Sequence, residues 1–311
     1  MSKPWAIAIV GATATGKSHL GLQMATHFNG EILCMDSMQI YRRMDIGTAK
    51  PSFDEQTIVP HHLLDICEPT DTFTVEDYQR IALETIKAVN ARGKVPFLVG
   101  GTGLYLRAMS EGLTLGGVKG NEIIREKYNE IANQANGLAT LHNILMECDP
   151  DTAAKLHPND VRRVIRAIEI FELTGIPMSK QKKVAVDPPC DILKIGLNMP
   201  SEKLRENIEK RIYVMLENGL ENEVKDLMKN KDLVNSQALQ AIGYKELIPY
   251  LRGDITRDEA VRLLIRNTKH YAKRQNTWFR GDSAVNWFDT EDTELSAKVQ
   301  KLIETWLQER K

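Results

Sequence analysis

The sequence is poor in the features that mark secreted, membrane or zinc-binding proteins. Its 311 residues include only four cysteines, which lie too far apart for a zinc site or a dense disulfide framework. The longest run without a charged residue, 131–146, is rich in Asn and Gln, and it is too short and too polar to cross a bilayer. The first residues lead straight into an apolar run, so we expect no signal peptide. We therefore expect a protein of the cytoplasm that has no contact with a membrane.

An excess of charge of one sign is also missing, since 41 basic residues balance 42 acidic ones and the formal net charge is −1. Any contact with a nucleic acid must then depend on a local concentration of basic residues. Residues 260–281 provide one, with six Lys or Arg and no acid, interleaved with Tyr271, Trp278 and Phe279. This mixture suits single-stranded RNA, because the cations pair with phosphates and the rings stack on bases. The other interpretation places the rings in the core and the charges in water, and we expect part of each.

Short apolar runs alternate with amphipathic segments in the first third of the chain. Residues 6–10, 31–35 and 95–99 are predicted strands, and 18–28 is a predicted helix with apolar residues at every fourth position. Such alternation is typical of an α/β fold in which helices flank a parallel sheet.

The helical character of the sequence increases from about residue 121. Residues 121–146 and 161–173 are predicted to be helices, and strand-like runs return only after residue 190. We therefore predict a catalytic core formed by residues 1–111 and 191–311. A helical insertion domain, residues 112–190, interrupts this core.

The first predicted strand is followed at once by a complete phosphate-binding motif, G-x-x-x-x-G-K-[ST]. Its residues are Gly11, Ala12, Thr13, Ala14, Thr15, Gly16, Lys17 and Ser18. The glycines let backbone N–H groups point inward, and the start of the following helix adds a partial positive charge. Lys17 supplies a full charge, and the Ser18 hydroxyl can ligate Mg²⁺. The motif predicts a site for a di- or triphosphate but does not specify a nucleotide.

Asp36 lies at the end of the second predicted strand. Parallel strands deliver the residues at their carboxyl ends to one edge of the sheet, so Asp36 is expected to face the phosphate motif. A carboxylate at this place can accept a proton from an incoming nucleophile. The sequence leaves two other roles open for Asp36, namely the capping of a turn and the binding of Mg²⁺ through water.

Seven sequence blocks, among them DSMQIY, HHLLD, VGGTGLY and RQNTWFR, resemble those of the tRNA dimethylallyltransferase family, also called tRNA isopentenyltransferases. The blocks occur in the same order as in the family, and they are residues 11–18, 36–51, 61–65, 99–105, 157–160, 243–246 and 271–280. The resemblance covers nearly the whole chain and implies an α/β fold like that of P-loop NTPases, with a parallel sheet, flanking helices and a helical insertion domain. It also implies a monomer that uses Mg²⁺ and transfers a dimethylallyl group from dimethylallyl diphosphate to N6 of the adenosine 3′ to the anticodon in tRNA.

The resemblance further implies roles for individual residues. Asp36 matches the general base, Thr13 contacts the diphosphate near its bridging oxygen, and Lys17 neutralises charge on the diphosphate. Arg211 matches an arginine that reaches the diphosphate. The family often has a second arginine at the position of Asn207, so the sequence departs from the family pattern there.

A base inside a folded anticodon loop reaches a buried donor only after it is flipped out and read along its edges. We expect Gln39 to hydrogen-bond a neighbouring base, and we expect Arg162 and Arg166, on one face of a helix, to contact phosphates. By this interpretation the insertion domain contacts the anticodon stem-loop. The predicted tRNA contacts are Asp36, Ser37, Met38, Gln39, Gly101, Thr102, Arg125, Arg162, Arg163, Val164, Ile165, Arg166, Gln240, Gly243, Tyr244, Lys245, Lys273, Arg274 and Arg280.

Three other functions remain open on the sequence. A small-molecule kinase shares the phosphate motif, but it needs a lid whose arginines reach the transferred phosphate. A prenyltransferase that acts on free AMP or ADP has no need of the insertion or of the basic C-terminal segment. An RNA-binding module without enzymatic activity has no use for an intact phosphate motif beside Asp36. Competition between ATP and a prenyl diphosphate separates the kinase from the transferases, and a comparison of AMP with a tRNA stem-loop identifies the acceptor.

Overall fold

The computed structural model describes residues 3–111, 118, 120–181, 187–233 and 236–310. Contacts divide the chain into two compact units, Met1–Gly112 with Asp187–Lys311, and Leu113–Val186. We call the first the sheet unit and the second the helical unit. The predicted insertion, 112–190, corresponds to the helical unit but extends a few residues beyond its end, and residue 112 itself lies outside the described residues.

The sheet unit is built on six strands in the described residues, and all of them are parallel, which confirms the predicted α/β class. The strands are β1 (Trp5–Gly11), β2 (Gly30–Cys34), β3 (His61–His62), β4 (Val95–Val99), β5 (Asp191–Asn198) and β6 (Val285–Asp289), in the order β3-β2-β4-β1-β5-β6. In the centre, Ile7 pairs with Phe97 on one side and with Leu193 on the other. β1, β2 and β4 are buried almost throughout. Helices cover both faces of such a sheet, and the sequence therefore shows its strands as continuous apolar runs.

The α-helices of the described residues lie between these strands, in the helical unit and after β6. They are α1 (Lys17–His27), α2 (Phe53–Ile58), α3 (Val75–Ala91), α4 (Gly103–Ser110), α5 (Glu122–Ala132), α6 (Gly137–Cys148), α7 (Pro150–Ala153), α8 (Val161–Thr174), α9 (Ser201–Glu217), α10 (Leu220–Leu227), α11 (Tyr244–Arg252), α12 (Arg257–Arg280) and α13 (Leu295–Gln308). The single helix predicted over 121–146 is wrong, because Asn136 takes up the left-handed conformation, with φ of 57°, and separates α5 from α6. Among these helices, none combines the length and the apolar character needed to cross a membrane.

Each face of the sheet has its own apolar core. Along β1, Ala8 and its neighbours on the same face pack with residues of α3 and α12, among them Tyr78 and Ala272. Ile9 on the opposite face packs with residues of α1 and α13, among them Met24. This alternation along one strand fixes which helix lies on which face, and it leaves the carboxyl edge of the sheet clear for the phosphate motif.

The helical unit has a separate core. Tyr128 from α5, Leu141 and Leu145 from α6, and Ile168 from α8 are buried against one another. Leu141 and Leu145 are four residues apart, and Ile124 and Ile131 flank Tyr128 at four and three residues, so each helix turns one apolar stripe inward, which is the pattern of a small helix bundle.

Glu31, on β2, is a buried carboxylate held by three basic side chains. Its oxygens lie 2.7 Å from Nε2 of His62, 2.6 Å from Nη2 of Arg92 and 3.0 Å from Nζ of Lys94. Burial by itself raises the pKa of Glu31, but the contacts with these partners outweigh burial and lower the pKa to about 2. The charged form is therefore the one that stabilises the fold.

We expect Glu31 to contribute to stability above about pH 4.5 and to lose that contribution as the pH falls towards 2. Between those values the wild type should lose on the order of 3 kcal/mol more unfolding free energy than a Glu31→Gln variant, because only the wild type has this carboxylate to protonate. Urea denaturation at stepped pH measures the difference. Glu84→Gln, on the exposed face of α3, is the control and should keep the wild-type profile. Parallel profiles for wild type and Glu31→Gln would contradict the assignment.

Candidate active site

The phosphate motif forms the loop between β1 and α1. Gly16 precedes α1 with φ of 90°, a left-handed conformation that a side chain would strain. The Thr15 hydroxyl donates to the Ala12 carbonyl oxygen at 2.8 Å and closes the loop on itself. A loop of this form at a helix N-terminus presents backbone N–H groups and a partial positive charge to an anion.

Two partly buried cations, Lys17 at the start of α1 and Arg211 on α9, lie at this loop. Lys17 donates from Nζ to the Ala12 carbonyl oxygen at 2.6 Å. Burial, and then the positive charge of Arg211, lower the pKa of Lys17 to about 7, although Asp36 acts in the opposite direction. Burial also lowers the pKa of Arg211, again against the attraction of Asp36. Two desolvated cations opposed by one carboxylate are an electrostatic arrangement that a polyanion stabilises.

Asn207 lies one turn before Arg211 on α9. Its amide nitrogen is 3.5 Å from the Ala14 carbonyl oxygen and 3.4 Å from the sulfur of Met199. A residue at this position therefore reaches the phosphate loop. In this chain it brings a neutral amide to the loop, so the side-chain positive charge described there comes from Lys17 and Arg211.

Asp36 follows β2 and faces the same space as the phosphate loop. Its Oδ1 accepts a hydrogen bond from the Met38 backbone N–H at 2.9 Å, so the residue does cap a turn. Within the described residues, Oδ2 has no hydrogen-bond partner. One oxygen thus fixes the carboxylate while the other is free to accept a proton.

A cavity of about 330 Å³ joins the two features. Its walls come from the phosphate loop, from the segments that follow β2 and β4, and from α9 and α12. The predicted site residues that line it are Thr13, Ala14, Lys17, Ser18, Asp36, Ser37, Met38, Gln39, Gly101, Arg211, Gln240, Gly243, Lys245 and Arg274. Thr102 supports this wall, because its hydroxyl accepts from the Ser37 N–H at 3.1 Å.

The amide of Gln39 is occupied by the protein itself. Its Nε2 donates to the carbonyl oxygens of Thr48 and Ala49, both at 3.0 Å, and its Oε1 accepts from the Cys34 thiol at 3.1 Å. The expectation that this amide is available to a neighbouring base is therefore wrong for this structure. Its observed role is to fold the segment after Asp36 against β2.

Glu223, which sequence reasoning does not single out, anchors that segment from outside. Its carboxylate accepts from the backbone N–H groups of Asp45, Ile46 and Gly47 at 2.8, 2.8 and 3.0 Å, and from the Tyr244 hydroxyl at 2.7 Å. Burial and this carboxylate raise the pKa of Tyr244. Tyr244 was predicted to contact tRNA, but its side chain is fully buried, so that prediction is corrected to a core position.

The predicted tRNA contacts of the helical unit divide into two groups. Arg162 and Arg163 are exposed on α8, and Arg163 lies 3.4 Å from Asp160. The guanidinium groups of Arg125 and Arg166 instead bind the carboxylate of Glu169, which is 0% exposed. A buried carboxylate requires such partners. Arg166 pairs with it within α8, and Arg125 joins α5 to α8.

Two further predictions in this unit need correction. The side chains of Val164 and Ile165 are buried in the core of the helical unit. Apolar side chains in that position pack against other helices, so they do not present a surface to tRNA.

α12 shows the expected mixture of core and surface. Lys273, Arg274 and Arg280 are exposed, whereas Phe279 is buried. The Arg274 guanidinium lies 5.7 Å from the centre of the Tyr271 ring. The helix therefore offers cations on its outer side while its inner side completes the cavity.

The chain is similar to proteins whose family is known. A family model described as IPP transferase matches residues 39–282. The chain is 46% identical over 301 residues to a tRNA dimethylallyltransferase of Shouchella clausii, covering 97% of this chain and 96% of that protein. It is 43% identical over 298 residues to one of Halalkalibacterium halodurans, covering 95% and 94% respectively.

Solved structures show the same similarity. The full-length tRNA isopentenylpyrophosphate transferase of Bacillus halodurans is 42% identical, with a TM-score of 0.73 and coverage of 99% of this chain and 98% of that one. A eukaryotic dimethylallyltransferase acting on tRNA is 29% identical, with a TM-score of 0.80 and coverage of 99% and 80%.

Proposed function

Since the chain belongs to the IPP transferase family, we propose that it transfers the dimethylallyl group of dimethylallyl diphosphate to N6 of the adenosine 3′ to the anticodon in tRNA. The products are N6-dimethylallyladenosine and diphosphate. The observation that carries this proposal is the presence, in one cavity, of a phosphate loop and the Asp36 carboxylate. The loop fits a departing diphosphate, and the carboxylate fits the proton that the attacking amine must lose.

The leaving group is stabilised by the cationic side of the cavity. As the C–O bond of the donor breaks, negative charge grows on the diphosphate. The loop adjoins the cavity that would receive the diphosphate, and Lys17 and Arg211 line it, so their positive charge and the loop N–H groups stabilise the transition state. Thr13 lines the cavity, and in this proposal it contacts the oxygen that departs from the allylic carbon.

The nucleophile is a poor one, because the lone pair of the adenine N6 is delocalised into the ring. As N6 bonds to the allylic carbon, it must lose a proton. Oδ2 of Asp36 accepts it, while Oδ1 remains bound to the Met38 N–H and holds the carboxylate in place. A positioned base of this kind contributes roughly 10²–10⁴ to the rate.

The donor set of the cavity fits Mg²⁺. Ser18 is exposed at the start of α1 and lines the cavity, as does Asp36. Within the described residues, no group of three His, Cys, Asp or Glu side chains could enclose a metal ion. Mg²⁺ commonly has only one or two protein ligands and takes the rest from substrate phosphates and water. When bound, it would supply positive charge to the leaving diphosphate.

The acceptor is the anticodon stem-loop of tRNA. Gln240 and Lys245 are exposed at the rim of the cavity, and Arg274 lies beside them in its wall. A flipped adenosine enters there, and the exposed cations of α12 contact the backbone on either side. Because tRNA is the acceptor, we place the protein in the cytoplasm, acting as a monomer on one tRNA.

We expect the double variant Arg162→Gln, Arg163→Gln to bind an anticodon stem-loop with a weaker salt dependence. The slope of log K against log salt should decrease in magnitude by about 1–2, since each lost phosphate contact removes about 0.7–0.9. Filter binding at stepped KCl concentrations measures the slope. The double variant Lys155→Gln, Lys180→Gln removes the same charge from exposed positions and should leave the slope unchanged. A slope that fell equally in both would assign the effect to net charge.

The proposed function is tested by mass spectrometry of nucleosides. After incubation with dimethylallyl diphosphate and Mg²⁺, unmodified tRNA should yield N6-dimethylallyladenosine at the position 3′ to the anticodon. AMP offered in the same reaction should remain unmodified. Prenylated AMP with unmodified tRNA would identify the free-nucleotide transferase instead.

A further inference from the structure

The amide of Gln275, on α12, links two loops at the carboxyl edge of the sheet. Its Oε1 accepts from the Thr13 backbone N–H in the phosphate loop at 2.8 Å. Its Nε2 donates to the Gly101 carbonyl oxygen, in the turn after β4, at 2.9 Å. The residue is 5% exposed, so both bonds lie away from bulk water.

Only one orientation of this amide satisfies both loops. A rotation by 180° would place the NH₂ group against the Thr13 N–H and the oxygen against the Gly101 carbonyl. The turn also leaves no spare room, since a Cβ at Gly101 would overlap Nε2 of Gln275. The glycine at 101 and the amide at 275 are therefore fitted to each other.

The bond to Gln275 changes which N–H groups of the phosphate loop are available to an anion. The Thr13 N–H is committed to Gln275, so it does not add to the N–H groups that face the anion. Thr13 is thus tied to α12, where the exposed cations Lys273 and Arg274 directly precede Gln275. α12 therefore carries both the cations on the side of the proposed RNA acceptor and the amide that holds Thr13 beside the donor.

We propose that Gln275 is a positioning residue for prenyl transfer. It orients Thr13 toward the oxygen that leaves the allylic carbon, and this orientation depends on the position of α12. This inference rests on the proposed function. A residue that only orients Thr13 toward the breaking C–O bond stabilises the transition state more than it stabilises the bound donor. Its loss should therefore lower kcat while donor binding changes little.

The test uses Gln275→Met, which keeps the side-chain length but has neither hydrogen-bonding group. We expect kcat for tRNA prenylation to fall by roughly 10- to 100-fold, with KM for dimethylallyl diphosphate within about threefold of wild type. Thr277→Ala is the control, because within the described residues its exposed hydroxyl bonds only to the Lys273 carbonyl of its own helix. That variant should keep the wild-type kcat.

A second measurement reports the link without substrate. Amide hydrogen exchange at Thr13, followed by NMR, should be slow in the wild type and Thr277→Ala, and at least about tenfold faster in Gln275→Met. Unchanged exchange at Thr13, or a Gln275→Met kcat within about twofold of wild type, would overturn the inference.

A double-mutant cycle adds a second variant, so that the inference can still be tested if Gln275→Met fails to fold. Gly101→Ala should displace the Gln275 amide and reproduce the loss of kcat, and Gly101→Ala with Gln275→Met should lose little more than either single variant. Fully additive losses would overturn the link. A wild-type enzyme without prenyl transfer would overturn the proposed function as well, whereas an active wild type matched by its variants would overturn this inference alone.

Discussion

Asp36→Asn is expected to lower kcat for tRNA prenylation by at least about 100-fold, while inorganic diphosphate binds at least as well as to the wild type. Asparagine keeps an oxygen for the Met38 N–H, so the turn should persist, but its amide does not accept the N6 proton at neutral pH. Removing the carboxylate also removes the negative charge that counteracts the lowering of the pKa values of Lys17 and Arg211. The affinity for a polyanion such as diphosphate should therefore not decrease.

Single-turnover kinetics should be used, because slow product release would hide part of the loss in kcat. Diphosphate affinity is measured separately by calorimetry. Asp54→Asn, at an exposed position in α2, is the control and should retain full activity. An Asp36→Asn enzyme with wild-type single-turnover rates would remove Asp36 as the base and leave it only its turn-capping role.

Lys17→Ala is expected to reduce both kcat and donor affinity, each by about tenfold or more, since Lys17 faces the diphosphate before and during bond cleavage. The effect should depend on pH. The pKa of Lys17 in the free protein is about 7, so above that pH the lysine must take up a proton when the anion binds. The advantage of wild type over variant in diphosphate affinity should therefore be largest below pH 7 and decrease as the pH rises above it.

Calorimetric titrations with diphosphate on both sides of neutral pH measure this difference. Comparing the two proteins removes the contribution of the ligand's own ionisation, which is the same in both. Lys210→Ala, an exposed lysine next to Arg211, controls for the loss of one positive charge nearby. If Lys17→Ala bound diphosphate as the wild type does at every pH, the role of Lys17 at the donor would be contradicted.

Much of the fold could be predicted because its signals are local. The apolar runs of β1, β2 and β4 reflect burial on both faces of the sheet. Local signals failed where the element was too short or irregular. β3 has only two residues, and α11 contains Pro249, which a sequence pattern treats as a helix breaker.

The candidate site likewise contains residues that local sequence signals predict and residues that they do not. The phosphate loop and Asp36 are contiguous motifs next to strand ends, so their proximity follows from parallel-sheet geometry. Glu223 and Gln275 act on segments 177 and 262 residues away, and nothing in their own neighbourhoods in the sequence indicates those partners. Tyr244 and Gln39 were misjudged for the same reason, because their tertiary contacts decide whether their polar groups remain free.

The central claim is that the phosphate loop holds a leaving diphosphate and not a nucleotide whose phosphate is transferred. It is tested most directly by incubating the purified protein with dimethylallyl diphosphate carrying a labelled prenyl group, γ-labelled ATP, Mg²⁺ and an unmodified anticodon stem-loop in one tube. The account predicts that prenyl label enters the RNA with release of one diphosphate per label, while the γ-phosphate stays on ATP. Transfer of γ-phosphate to any acceptor, with no prenyl label in the RNA, would contradict it.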